Sequence, residues 1–123
     1  MNIYLAGPMR GRKNFNFPAF DYAAARLRVD GHFVFSPAER DRKAYGDDIE
    51  DNPTGDESKV ANAACTINDC MSSDCEWICR TADAIALLPG WEASSGANAE
   101  VALAKALGLS VITLGKAYVA PVE

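Results

Sequence analysis

The stretch LPGWEASSGANAEVALAKALGLSVI, Leu88 to Ile112, holds the pattern that decides the fold. An apolar run ends at Leu88-Pro89, a turn at Gly90 and a small-residue loop follow, then an alanine-rich helix stopping at Gly108, then a second apolar run. Strand, helix and strand joined by short loops form a right-handed β-α-β unit, with two parallel strands and a helix packed across them. One residue interrupts the pattern. Glu100 sets a carboxylate on the otherwise apolar start of the helix, behind Ser94, Ser95 and Gly96.

The rest of the chain repeats the unit. Asn2 to Ala6 is a short strand closed by Gly7-Pro8; a helix capped by Asn16, with Pro18 in its first turn, stops at Gly31; and HFVFSP is a second strand ended by Pro37. Asp83 to Pro89 is the third strand and LSVITLG the fourth. Between Pro37 and about Ser58 the sequence is rich in charge, glycine and proline, which predicts a long surface loop or mobile lid over about residues 38–58. A helix is expected from Lys59 to Arg80, broken near Met71 to Ser73. The expectation is an α/β chain, three-layered and Rossmann-like in the flavodoxin manner, with four to five parallel strands in the order 2-1-3-4 and helices on both faces.

The 123 residues suit a single domain, and 49% hydrophobic with 24% charged residues is a globular composition with a real core. A net charge of -5 argues against nucleic-acid polymers and anionic membranes as partners, while a small anion needs only one or two well-placed cations. No run approaches the ~18 apolar residues of a membrane span and no signal-peptide pattern opens the chain, so a cytoplasmic location is expected. Cys65, Cys70, Cys75 and Cys79 match no zinc spacing and read as free thiols.

In the order 2-1-3-4, the loops leaving strands one and three part in opposite directions and open a crevice. Those loops are GPMRG, with Gly7, Met9 and Arg10, and PGWEASSG, with Trp91, Ser94, Ser95 and Gly96. Free N–H groups at the helix start suit a phosphate, and Arg10 opposite them could clamp the same anion with its planar fork. Glu100, about one turn into the helix, is expected to be ionised at pH 7, ready to attack or stabilise the anomeric carbon of a sugar. Tyr4 and Asp74 are further candidates for the crevice, with Trp91 and Phe17 as stacking faces for a planar base. Plain structural roles stand beside each of these: a cap for Ser94 and Asp74, core packing for Tyr4, Trp91 and Phe17, a solvated surface for Arg10 and Glu100.

IYLAGPMRG and SSGANAEVALAKALG together resemble the nucleoside 2-deoxyribosyltransferase superfamily, in particular a phage and prophage branch of unknown function, and are similar within it to the 2′-deoxynucleoside 5′-monophosphate N-glycosidases. Tyr4, Gly7 and Arg10 match the first-strand pattern of those enzymes, and Ser94, Gly96 and Glu100 the helix-loop pattern, at the same spacing. The resemblance implies that Glu100 is the nucleophile that takes the deoxyribosyl group, that Tyr4 positions it, and that Arg10, Ser94 and Gly96 hold a 5′-phosphate. It also implies that Asp74 orients or protonates the leaving base. Two departures stand out: the Asp74 stretch sits one residue further from Ala82-Asp83 than the pattern has it, and the position of a histidine that those enzymes carry after strand two falls near Pro37, where this chain has none, which leaves the 5′-phosphate preference open. The implied protein is a homodimer or larger homo-oligomer acting on a small nucleotide or nucleoside, with no metal or organic cofactor. Two other readings remain at this point: a ribonucleotide phosphoribohydrolase, which LPGW echoes, and a non-catalytic nucleotide-binding or sequestering protein.

Overall fold

The computed structural model describes residues 1–46, 52–56 and 67–120. Four strands, β1 (Asn2–Ala6), β2 (Phe33–Phe35), β3 (Ala84–Leu87) and β4 (Ser110–Thr113), form one parallel sheet in the order β2-β1-β3-β4. The helices are α1 (Phe17–Val29), α2 (Pro37–Tyr45), α3 (Ile67–Arg80) and α4 (Ser95–Ala106). The expected Rossmann-like architecture and strand order are therefore present.

Side-chain alternation along β1 divides the interior in two. Ile3 and Leu5 join Phe17, Phe20, Ala23, Ala24 and Leu27 of α1 and Ala38 of α2 on one face. Tyr4 and Ala6 join Ile85 and Leu87 of β3, Ile78 of α3, and Ala97, Val101 and Ala104 of α4 on the other. A period of two in the strand is what sends neighbouring residues to opposite layers. Tyr4 lies opposite Phe35 on β2 and Ile85 on β3, so the register centres it in the sheet.

Four local readings change. Pro37 to Tyr45 is a helix instead of the start of a loop, because its charges pair with α1 instead of solvating: Arg42 forks Asp21 at 2.9 and 2.7 Å, and Arg28 of α1 forks Glu39 at 2.6 and 2.7 Å. Of the remaining loop, residues 52–56 form a turn docked on the segment after β1, with the Gly11 N–H donating to Gly55 O and the Asn14 N–H to Asn52 O. The helix over Met71 to Ser73 is continuous; Lys59 to Thr66 lies outside the described residues.

Asn16 does not cap α1 with its side chain. It sits at φ 61 at the end of a left-handed turn that includes Asn14 and Phe15, and its Nδ2 donates to Pro8 O at 3.0 Å, which ties the loop to the exit of β1. Gly7, at that exit, is required by packing: a Cβ there would stand 2.8 Å from Leu88 Cβ.

Candidate functional site

The site is built from β1 outward. Tyr4 is fully buried, its ring stacked on Phe35 with centroids 5.4 Å apart and tilted against Trp77 at 6.4 Å. Phe35 and Trp77 are themselves 5.2 Å apart, and this three-ring cluster fixes where the hydroxyl points. The hydroxyl donates to Glu100 Oε2 at 2.5 Å, linking β1 to the second turn of α4. Glu100 and Asp74 are each only 6% exposed, a degree of burial that carboxyls do not adopt without a reason.

Burial governs the electrostatics. The Glu100 carboxyl is pushed up to about 8, first by loss of water; the Tyr4 hydrogen bond and the Arg40 charge pull it down and Asp74 pushes it up. The expected free carboxylate at pH 7 is thus overturned. Glu100 is the sixth residue of α4, beyond the first-turn N–H groups that would stabilise its charge, and desolvation prevails. The Asp74 carboxyl is raised by burial against the pull of Arg40 and Tyr4, and the Tyr4 hydroxyl is raised well above its ordinary value by burial and by Glu100. Cys75, on α3, has its thiol raised by burial and by both carboxyls.

Arg40 of α2 completes the cluster, and the sequence reading missed it. Nη1 donates to Cys70 O at 2.8 Å, and Nη2 reaches Asp74 Oδ2 at 3.2 Å and Asp41 Oδ1 at 2.8 Å. The contact with Asp41 is an ion pair without hydrogen-bond alignment; Asp41 Oδ1, Asp74 Oδ1 and Arg40 Nε have no hydrogen-bond partner among the described residues. Asp41 is pushed up to about 6, chiefly by burial. The signal that could have found Arg40 is Ser36-Pro37-Ala38-Glu39, a helix start with Pro in the first turn and an acid at the third position.

The remaining candidates separate by location. Trp91, half-buried, packs against the apolar residues around Tyr4 and lies on the same face. Phe17 does not serve as an exposed stacking face: it is fully buried in the opposite cluster, with the Arg42 guanidinium 4.9 Å above its ring. Met9 packs against that same opposite cluster. Arg10 is exposed, and its charge favours the ionised form of Asp41.

Ser94 caps α4, its Oγ accepting from the Ala97 N–H at 3.2 Å, and Ser95 beside it is exposed. A Cβ on Gly96 would meet only ordinary contacts, the nearest 3.7 Å away at Met71 Cε, so packing does not demand glycine there. Arg12 was also overlooked. Its Nη2 lies where a Cβ on Gly90 would come within 2.7 Å, so the guanidinium rests on the β3 loop and joins the two loops of the switch point. Cys75 and Cys79 are free thiols, Cys70 Sγ lies 3.2 Å from the Tyr45 hydroxyl, and no described helix is long and apolar enough to cross a membrane.

A family model described as "Domain of unknown function (DUF4406)" matches residues 1–113, a span that takes in every residue of the Tyr4, Arg40, Asp74 and Glu100 cluster. The chain belongs to that family. Among curated proteins and solved structures, none matches it. The family description names no chemistry, so what the DUF4406 chain does rests on its own side chains.

Proposed function

We propose that this DUF4406 protein cleaves the N-glycosidic bond of a 2′-deoxynucleotide or 2′-deoxynucleoside, with Glu100 as the nucleophile and water or a second base as the acceptor. The observation that carries this reading is the buried hydrogen bond from Tyr4 to Glu100 at 2.5 Å beside Asp74, at the point where the strand order reverses. A glutamate placed there without a task would cost stability through desolvation alone.

Glu100 must lose its proton to solvent before it reacts. A Glu100 oxygen then attacks the anomeric carbon, the bond from that carbon to the base nitrogen breaks, and its electron pair stays on the base. Asp74, whose raised carboxyl holds a proton more readily than a surface aspartate, donates to the departing base. Water or another base then takes the sugar from Glu100 and gives up its proton to Asp74, which restores the Glu100 carboxylate and the Asp74 acid together. Tyr4 donates to the Glu100 oxygen throughout, which favours the anion and fixes its direction. Arg10 and Arg12, on the loop leaving β1, and Ser95 at the start of α4 are the groups on the two loops suited to the sugar's 5′ end.

The test is incubation with 2′-deoxynucleoside monophosphates and 2′-deoxynucleosides, read by chromatographic release or exchange of base, with Glu100→Ala as the control. Base release lost in that variant supports the mechanism, and release that persists in it removes Glu100 from the chemistry.

One observation favours a second reading. A glutamic acid that keeps its proton up to about 8 is a good hydrogen-bond donor and a poor nucleophile, which suits a protein that binds a nucleotide without cutting it. Tight stoichiometric binding with the ligand recovered intact after prolonged incubation distinguishes that case.

A further inference from the structure

We propose that Arg40 is the positioning residue of this site: its guanidinium aims Asp74 at the Tyr4–Glu100 pair and supplies the positive charge against which the buried carboxyls ionise. The catalytic consequence rests on the deoxyribosyl reading above; the electrostatic one holds whatever the ligand.

The geometry comes first. Cys70 and Asp74 are four residues apart on α3, so the Cys70 carbonyl and the Asp74 carboxylate lie one helical turn from each other. Arg40 spans that turn, with Nη1 on Cys70 O at 2.8 Å and Nη2 on Asp74 Oδ2 at 3.2 Å. A planar fork anchored at two points on one helix leaves the Asp74 side chain little freedom, which a point-charged ammonium cannot reproduce. Because Arg40 takes Oδ2, Asp74 keeps Oδ1 for something else, and that atom has no hydrogen-bond partner among the described residues.

Charge balance points the same way. Among the described residues, the groups around the cluster are Tyr4 from β1, Arg40 and Asp41 from α2, Cys70, Asp74 and Cys75 from α3, and Glu100 from α4, with Arg10 beyond acting on Asp41. One guanidinium therefore serves three carboxyls, Asp41, Asp74 and Glu100, while burial works against the ionisation of each. Its side chain is only 17% exposed, so water screens little of its charge. Asp41 competes with Asp74 for the same nitrogen, Nη2.

A residue that merely tied α2 to α3 would alter thermal stability and leave the carboxyl titrations in place. The test follows the carboxyl carbons of Asp74 and Glu100 by NMR across pH in the full chain without substrate, for wild type, Arg40→Met, Arg40→Lys and Asp41→Asn. Arg40→Met is expected to raise both midpoints by about one pH unit or more. Arg40→Lys should raise them less, because it keeps the charge. Asp41→Asn should lower the Asp74 midpoint, because Nη2 is then free to turn wholly toward Asp74. In base-release assays the pH profile of Arg40→Lys should shift upward with its Glu100 midpoint.

Unmoved midpoints in folded Arg40→Met would overturn the assignment. If that variant does not fold, an Asp74 midpoint that stays or rises in Asp41→Asn overturns it instead. Absence of base release from wild type would count against the deoxyribosyl reading, and the substrate-free titrations would still decide the role of Arg40.

Discussion

Along β1, Ile3 and Leu5 turn to one side of the sheet and Tyr4 and Ala6 to the other, and the two sides bury different things. The first is hydrocarbon packed against α1: Leu5, Phe20, Ala24 and Leu27 carry no polar side-chain atom. The second begins as a core of the same kind, with Ile85, Leu87 and Val101, but Tyr4 leads out of it into a group of titrating side chains. Adjacent residues of a single five-residue strand thus serve a hydrocarbon core on one face and a cluster of titrating side chains on the other. Substitutions on the two faces should therefore leave different signatures, and four experiments can break or sharpen that division.

The largest effect is expected at Glu100. Glu100→Gln keeps the size and burial of the side chain and removes the proposed nucleophile, so base release should fall by a factor on the order of 10⁴ or more while circular dichroism stays native. The next largest belongs to the other face. Leu5→Ala opens a cavity beneath a fully buried position and should cost about 2–5 kcal/mol in chemical denaturation, with the activity per folded molecule preserved.

Tyr4→Phe lies between the two faces in character. The ring keeps its stacking on Phe35 and Trp77, but the hydrogen bond to Glu100 is lost. Because that bond pulls the Glu100 midpoint down, its removal should shift the alkaline rise of the pH profile upward and lower base release at neutral pH by about ten- to a hundredfold. The smallest change is expected from Ser94→Ala, which removes the cap on α4 and should cost about 1 kcal/mol in thermal or urea unfolding.

The polar face also gives the protein a pH dependence that the hydrocarbon face cannot. Glu100 has a folded value of about 8 against 4.5 for the free side chain. Below 4.5 both states hold the proton and the folded state suffers no penalty. Between 4.5 and about 8 the unfolded chain releases it while the folded chain keeps it, so stability declines as pH rises. Asp41 and Asp74 are shifted in the same direction and add to the slope. Denaturation curves from about pH 5 to about pH 9 should show this decline, and Glu100→Gln should flatten it.

The framework was legible in the sequence because periodicity and punctuation speak directly of backbone. β-Branched runs, Pro37, and Gly31 and Gly108 at φ 96 and 73 mark where strands and helices begin and stop, and the strand order follows from how such units are wound. The Tyr4–Glu100 pair was legible through the resemblance carried by IYLAGPMRG and SSGANAEVALAKALG, while periodicity alone placed each residue on a regular element without joining them. Arg40 was not, because a stretch of alternating charges looks solvated until its partners are known, and those partners, Asp21 and Arg28 on α1 and Asp74 on α3, lie far away in sequence. The protonation of Glu100 was hidden as well. A helix position predicts a dipole, but only packing reveals that water has been removed.

The proposed function rests on Glu100 as the nucleophile of a bond-breaking site. Its most direct test is mass spectrometry of the intact protein and its peptides, quenched during incubation with a mixture of 2′-deoxynucleotides and 2′-deoxynucleosides. The account predicts free base in solution together with a deoxyribosyl adduct on the peptide that contains Glu100, both absent in Glu100→Gln. Substrates recovered intact with the wild-type protein, or base released equally by Glu100→Gln, would contradict it.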